Sequence, residues 1–129
     1  MNGKYALDTN IVIALLDEEP AASGKAAQAT NLYIPAIVLG ELFYGAYGSV
    51  RVQENLARAK NYSLETKILD VSAETADHYG RIKADLKRLG RPIPENDLWI
   101  AALSIQHSLT LASRDQHFDR VPGLSLARW

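Results

Sequence analysis

Four acidic residues that stand among apolar neighbours restrict the folds open to this chain. They are Asp8, Glu41, Asp97 and Asp115, within residues 5–13, 37–43, 96–103 and 109–115. Because an ionised carboxylate is costly to remove from water without a partner, core-forming segments rarely carry one unpaired. The pattern therefore favours a fold that gathers these four carboxylates around a cation.

Composition predicts one globular, soluble domain over residues 1–129, since 47% of the residues are hydrophobic and 22% are charged. No apolar run is long enough to span a membrane, and the N-terminus does not resemble a secretion signal. The chain has no cysteine, which excludes disulfides and thiolate zinc sites and favours a reducing, cytoplasmic location. With a net charge of −1, nucleic-acid binding would depend on a local basic patch.

Short apolar runs alternate with helical patterns along the chain. We expect strands at residues 4–7, 32–34, 67–71, 109–112 and 124–126, and helices at 11–16, 21–29, 36–47, 50–61, 73–89 and 96–106. Thr9 or Asn10 is the expected N-cap of the first helix, and Ser72 that of the long helix. This alternation predicts an α/β fold in which helices cover both faces of a central parallel sheet of about 4–5 strands.

The four acids fall at the edge of such a sheet where ligands bind. Asp8 and Asp115 follow the first and fourth expected strands, Glu41 lies early in the helix after the second strand, and Asp97 begins its helix. Two unit charges about 4 Å apart repel by roughly 4 kcal/mol at an effective dielectric near 20, so the carboxylates need a cation. Oxygen ligands suit Mg²⁺ or Mn²⁺, and no histidine stands in these segments to favour zinc.

Each acid also has a purely structural interpretation. Asp8 and Asp97 could serve only as helix caps, and Asp115 could be an ordinary turn residue. Glu41 lies within an apolar helix, where a carboxylate has no comparable structural role. The occurrence of all four at one expected edge of the sheet favours a shared site over these separate explanations.

Four motifs resemble those of the PIN-domain nucleases, most closely the VapC-type toxins of bacterial toxin–antitoxin pairs: LDTN at 7–10, PAIVLGEL at 35–42, NDLWIAA at 96–102 and SRD at 113–115. The resemblance covers nearly the whole chain, from Tyr5 to Leu124. It implies a PIN-like domain and a divalent-metal-dependent endoribonuclease, using Mg²⁺ or Mn²⁺, that is the toxin of such a pair. The implied partners are substrate RNA, a small antitoxin protein and a second copy of the chain, giving a homodimer and a toxin–antitoxin hetero-oligomer.

The resemblance also implies roles for particular residues. The catalytic and metal-binding residues would be Asp8, Glu41, Asp97 and Asp115. Supporting residues would be Thr9, Asn10, Ser113 and Asp119, of which Asp119 is the alternative to Asp115 as the fourth metal ligand.

Basic and aromatic clusters supply further candidates. Lys83, Lys87, Arg88, Arg91 and Arg114 could bind RNA phosphates, although a solvated helix face explains most of them equally well. The aromatic residues Phe43, Tyr44 and Tyr47 are assigned to a homodimer interface. The three histidines, His78, His107 and His117, share no metal-ligand spacing and are expected at the surface. His117 is near Asp115 in the sequence and could touch substrate, but it is not assigned to the site.

Other functions fit the sequence less well. A response-regulator receiver domain needs paired acids after the first strand, and a haloacid-dehalogenase-type phosphatase needs a second aspartate two residues after the first. Here Thr9 and Asn10 follow Asp8. The alternative from another class is a non-catalytic RNA-binding or scaffolding module, which has no use for concentrated negative charge. Metal-dependent cleavage of RNA separates the two.

Overall fold

Five short strands form a single parallel sheet in the computed structural model, which describes residues 3–129. The strands are β1 (Lys4–Leu7), β2 (Asn31–Pro35), β3 (Lys67–Leu69), β4 (Thr110–Ala112) and β5 (Leu126–Ala127). Their order across the sheet is β3-β2-β1-β4-β5, and every neighbouring pair is parallel. In chain order, β2 and β3 are added on one side of β1, and the chain then crosses to the other side of β1 to form β4 and β5. The predicted α/β fold with a central parallel sheet is confirmed.

Six α-helices connect these strands, and they are α1 (Thr9–Leu16), α2 (Pro20–Gln28), α3 (Ala36–Tyr47), α4 (Val52–Glu65), α5 (Ala73–Arg88) and α6 (Glu95–Gln106). A short 3₁₀ helix at Gln116–Arg120 precedes β5. The connections run in one direction across the sheet from β1 to β3 and in the opposite direction from β3 to β5, so right-handed crossovers place helices on both faces of the sheet. No helix within residues 3–129 has the length and apolar character that a membrane span requires.

The sequence located most elements correctly, but two details of the prediction were wrong. The N-cap of α1 is Asp8, not Thr9 or Asn10: Asp8 has an extended backbone, and its side chain accepts a hydrogen bond from the backbone N–H of Thr9. The last strand is displaced toward the C-terminus, at Leu126–Ala127 rather than residues 124–126. The predicted cap of α5 is confirmed, because Ser72 and Thr75 form a capping box.

Helix α6 lies at the centre of the hydrophobic core. Its residues Ile100, Ala101, Ala102 and Leu103 are completely buried, as is Leu111 on the adjacent strand β4. Burying a side chain of leucine or isoleucine size stabilises a fold by about 1.5–3 kcal/mol, so the packing of α6 fixes its N-terminal turn against the sheet. That turn carries Asp97.

Candidate active site

Asp8 stands where the central strand β1 ends and α1 begins. Its backbone N–H donates to the carbonyl of Ala112 on β4 at 3.0 Å, which extends the pairing of β1 with β4 by one residue beyond Leu7. Its carboxylate accepts hydrogen bonds from the Ser113 hydroxyl at 2.6 Å, the Thr9 backbone N–H at 2.9 Å and the Asn10 side-chain amide at 3.3 Å. The bonds from Ser113 and Asn10 reach Oδ2 and the bond from Thr9 reaches Oδ1, so Oδ1 keeps a lone pair available for a cation.

Burial is the main influence on the ionisation of Asp8, which is only 5% exposed. Desolvation raises the pKa of the Asp8 carboxyl above its ordinary value, and the negative charges of Glu41 and Asp115 raise it further. The hydrogen bonds from Ser113 and Thr9 lower the pKa and so oppose this trend. The surroundings therefore resist the negative charge of Asp8 and would accept a compensating positive charge.

Glu41 joins Asp8 through a shared neighbour. It lies in the second turn of α3, where the hydroxyl of Thr9 donates to its Oε1 at 2.7 Å. Thr9 thus contacts both carboxylates, one through its backbone N–H and the other through its side chain. This arrangement gives the Glu41 carboxylate the structural partner that its apolar helix lacks.

Asp97 and Asp115 both lie close to one ring nitrogen of His117. The Nδ1 atom of His117 lies 3.0 Å from Oδ2 of Asp97 and 3.0 Å from Oδ1 of Asp115. Asp115 caps the 3₁₀ helix by accepting from the His117 backbone N–H at 2.9 Å, and its own N–H donates to the Ser113 hydroxyl at 3.0 Å. Ser113 therefore links this group to Asp8.

Asp97 is 9% exposed, and burial raises the pKa of its carboxyl. The hydrogen bond and charge of His117 lower that pKa, whereas the charges of Asp8 and Asp115 raise it. Asp8 is thus close enough to Glu41, Asp97 and Asp115 to interact with each of them electrostatically, at the C-terminal edge of the sheet. Ligand atoms of Asp97, Asp115 and His117 all lie within 4.8 Å of one another, and a donor set dominated by carboxylates fits a divalent cation.

Some expected residues lie elsewhere. Asp119 is exposed and accepts from Arg128 at 3.1 Å, so the structure does not bring it into this cluster, whereas Asp115 is part of it. Arg114 pairs with both carboxylate oxygens of Glu19 and donates to the carbonyl of Trp129 at 2.6 Å. Its guanidinium therefore has partners within the protein, and the expected contact with RNA stays a prediction.

Of the other candidate residues, Asn10 supports the site, whereas the four basic residues lie on α5 or shortly after it. Asn10 bonds Asp8 and also accepts from the backbone N–H of Arg114, so it braces the loop after β4. Lys83 pairs with Glu95 at 2.6 Å and Arg88 with Asp85 at 2.8 Å, while Lys87 and Arg91 are exposed.

His117 is the residue of the cluster that sequence reasoning missed, since it was expected at the surface. It stands two residues after Asp115, on the 3₁₀ helix that Asp115 caps. Its position in the sequence could have indicated this role. An N-cap side chain accepts hydrogen bonds from the backbone N–H groups that follow it, so a histidine two residues after Asp115 lies close to the Asp115 carboxylate. Its contact with Asp97 depends on the tertiary fold and had no counterpart in the sequence.

Residues 5–124 match the PIN domain family. The chain belongs to the PIN-domain family, as the match over nearly its whole length and the parallel sheet with its acidic edge show. Within the family it is similar to proteins named VapC. It is 36% identical to ribonuclease VapC2 of Haemophilus influenzae and 33% identical to the tRNA(fMet)-specific endonuclease VapC of Shigella flexneri, in each case over 98% of both chains.

A solved structure gives the same relationship in three dimensions. The chain superposes on one in the crystal structure of VapBC2 from Rickettsia felis bound to a DNA fragment from their promoter, with a TM-score of 0.89 and 30% identity over 98% of both chains. The resemblance suggested by the four sequence motifs is therefore confirmed.

Proposed function

We propose that this protein is a divalent-metal-dependent endoribonuclease and the toxin of a toxin–antitoxin pair. The observation that carries the proposal is the convergence of Asp8, Glu41, Asp97 and Asp115 at the C-terminal edge of the parallel sheet, with burial raising the pKa of Asp8 and Asp97. The names of the relatives support ribonuclease activity, and the VapBC2 complex supports an antitoxin partner.

The proposed site residues have two roles: some would bind the cation, and others would orient these ligands. Asp8, Asp97 and Asp115 would hold the metal beside the loop that follows β4, and Glu41, which accepts a hydrogen bond from Thr9, would complete the ligand set. A bound Mg²⁺ or Mn²⁺ supplies the positive charge that lets an RNA phosphate approach these acids and that lowers the pKa of an attacking water. Ser113 orients Asp8 through its hydroxyl, and Thr9 orients Glu41. Because water is the nucleophile, the RNA 2′-hydroxyl takes no part in bond cleavage.

RNA cleavage by purified protein tests the proposal. We expect cleavage of a mixed RNA pool with Mg²⁺ or Mn²⁺ and none with chelator, and we expect Asp8→Asn and Asp97→Asn to be inactive. Asp77→Asn is the matched control, since Asp77 is exposed on α5 and pairs only with Arg81 among the described ion pairs. Equal cleavage by wild type and both site variants would refute the assignment, and RNA binding without cleavage would favour the non-catalytic alternative.

The same assay addresses the fourth acid. Asp115 lies in the cluster and Asp119 bonds Arg128, so we propose Asp115 as the ligand. Asp115→Asn should abolish cleavage, while Asp119→Asn should retain it. The reverse pattern would assign the role to Asp119.

The toxin role predicts an effect in cells. Expression of the wild-type chain should arrest growth, the Asp97→Asn variant should not, and co-expression of the antitoxin should restore growth. Harmless expression of an active nuclease would separate the enzyme from the toxin role. Both expectations place the protein in the cytoplasm, where its substrate RNA is found.

A homodimer is the further assembly that we propose. Tyr44 and Tyr47 on α3 are 83% and 67% exposed, which is unusual for large aromatic side chains unless another surface covers them. Replacing both with serine should convert a dimer into a monomer in light scattering. A dimer that persists in this variant would place the interface elsewhere.

A further inference from the structure

We propose that His117 is a nitrogen ligand of the divalent cation, beside Asp97 and Asp115, and that it shifts the preference of the site from Mg²⁺ toward Mn²⁺. The inference rests on the proposed function, because it concerns the same cation. It goes beyond that function by adding a ligand of a different chemical type, and by naming the metal that the site would favour.

The spacing of the donor atoms is the first argument. Nδ1 of His117 lies 3.0 Å from a carboxylate oxygen of Asp97 and 3.0 Å from one of Asp115. In an octahedral site with bonds of about 2.1 Å, adjacent ligand atoms are separated by about 3.0 Å. Two of the three donor–donor distances therefore match those of ligands that share one octahedral ion, and all three donor atoms lie within 4.8 Å of one another.

The backbone around His117 is the second argument, because it holds the ring in this position. The His117 N–H bonds the Asp115 carboxylate at 2.9 Å, so the histidine and one carboxylate are fixed to each other. The next residue, Phe118, is completely buried and anchors the 3₁₀ helix in the core. The imidazole remains 39% exposed, which leaves a path for a cation and its waters.

The chemistry of imidazole then predicts the selectivity. Mg²⁺ prefers oxygen ligands and retains its waters, whereas imidazole nitrogen binds first-row transition ions more favourably. A site of carboxylates alone would discriminate little between Mg²⁺ and Mn²⁺. One added nitrogen ligand should strengthen Mn²⁺ binding selectively.

Electron spin-echo spectroscopy of Mn²⁺ bound to the whole protein detects such a ligand directly, because a coordinated imidazole nitrogen couples to the metal. The test variant is His117→Asn, whose side-chain amide occupies nearly the position of Nδ1 and can still bond the carboxylates. The matched controls are His78→Asn and His107→Asn, which replace the other two histidines of the chain. Binding constants for Mn²⁺ and Mg²⁺ are measured by calorimetry on all four proteins.

We expect nitrogen coupling in the wild type and both controls and none in His117→Asn, with Mn²⁺ affinity at least about tenfold weaker in that variant and Mg²⁺ affinity nearly unchanged. If Mn²⁺ binds the wild type without nitrogen coupling, the inference is overturned and the proposed function still stands. His117 would then only hold the carboxylates of Asp97 and Asp115 in position. A wild type that binds neither Mn²⁺ nor Mg²⁺ would overturn the metal-dependent function as well.

Discussion

The hydrogen bond from Ser113 to Asp8 makes a testable contribution to stability. At 2.6 Å it joins a buried hydroxyl to a buried carboxylate, and it lowers the pKa of Asp8 against the opposing effect of burial. Ser113→Ala removes this donor and also leaves the backbone N–H of Asp115 without its acceptor. We expect the variant to be less stable than the wild type, by an amount that depends on pH.

The magnitude follows from the charge of the acceptor. A hydrogen bond to a charged group contributes about 1.5–3 kcal/mol, whereas a neutral one contributes about 1 kcal/mol. Ser113→Ala should therefore cost roughly 2 kcal/mol at pH 8, which corresponds to a midpoint lower by about 1 M in urea. Because the lost bond raises the folded-state pKa of Asp8 further, the difference should shrink as pH falls through the pKa of the variant and then that of the wild type.

Urea unfolding followed by circular dichroism, in chelator between pH 8 and pH 4, measures this difference. Ser104→Ala is the matched control, since the buried Ser104 hydroxyl donates to the neutral carbonyl of Ile100 at 2.9 Å. Its cost should be the same at every pH. If the cost of Ser113→Ala is also constant with pH, the bond does not act through the charge of Asp8 and the reasoning fails.

Three further predictions concern stability. In chelator, Asp97→Asn should gain stability relative to wild type as pH rises from 4 to 8. The reason is that burial and the charges of Asp8 and Asp115 raise the pKa of Asp97, which makes its ionised form costly in the folded protein. Urea midpoints at the two pH values measure this difference, and the absence of a relative gain would contradict the prediction. Phe118→Ala should cost about 3–5 kcal/mol in the same assay, because Phe118 is completely buried. Ser72→Ala should cost about 1 kcal/mol through loss of the α5 cap, and a cost near zero would mean that the capping box contributes little.

Periodicity in the sequence was sufficient for the fold because strands and helices alternate with different apolar patterns. It could not select the N-cap of α1, since Asp8, Thr9 and Asn10 are all good capping residues. The sheet decides, because the bond from Asp8 N–H to Ala112 keeps Asp8 extended and α1 begins after it. The position of β5 has a similar cause: its register is set by backbone bonds with β4, which local sequence does not encode.

The sequence could predict those site residues whose positions follow from the order and direction of the strands. The rule that ligands bind at the C-terminal ends of parallel strands was enough to group the four acids. The side-chain pairing of Arg114 with Glu19 was not predictable, since the two residues are far apart in the sequence and their contact depends on how α2 packs beside the loop after β4. The contact between His117 and Asp97 escaped prediction for the same reason.

The central position of β1 has a consequence for when the enzyme becomes active during its synthesis. β1 is synthesised before its neighbour β4 and before the residues Asp97, Ser113 and Asp115. A growing chain can pair β1 with β2 but lacks two of the four carboxylates and the hydroxyl that orients Asp8. We therefore expect the acidic site to assemble only after β4 has joined the sheet beside β1.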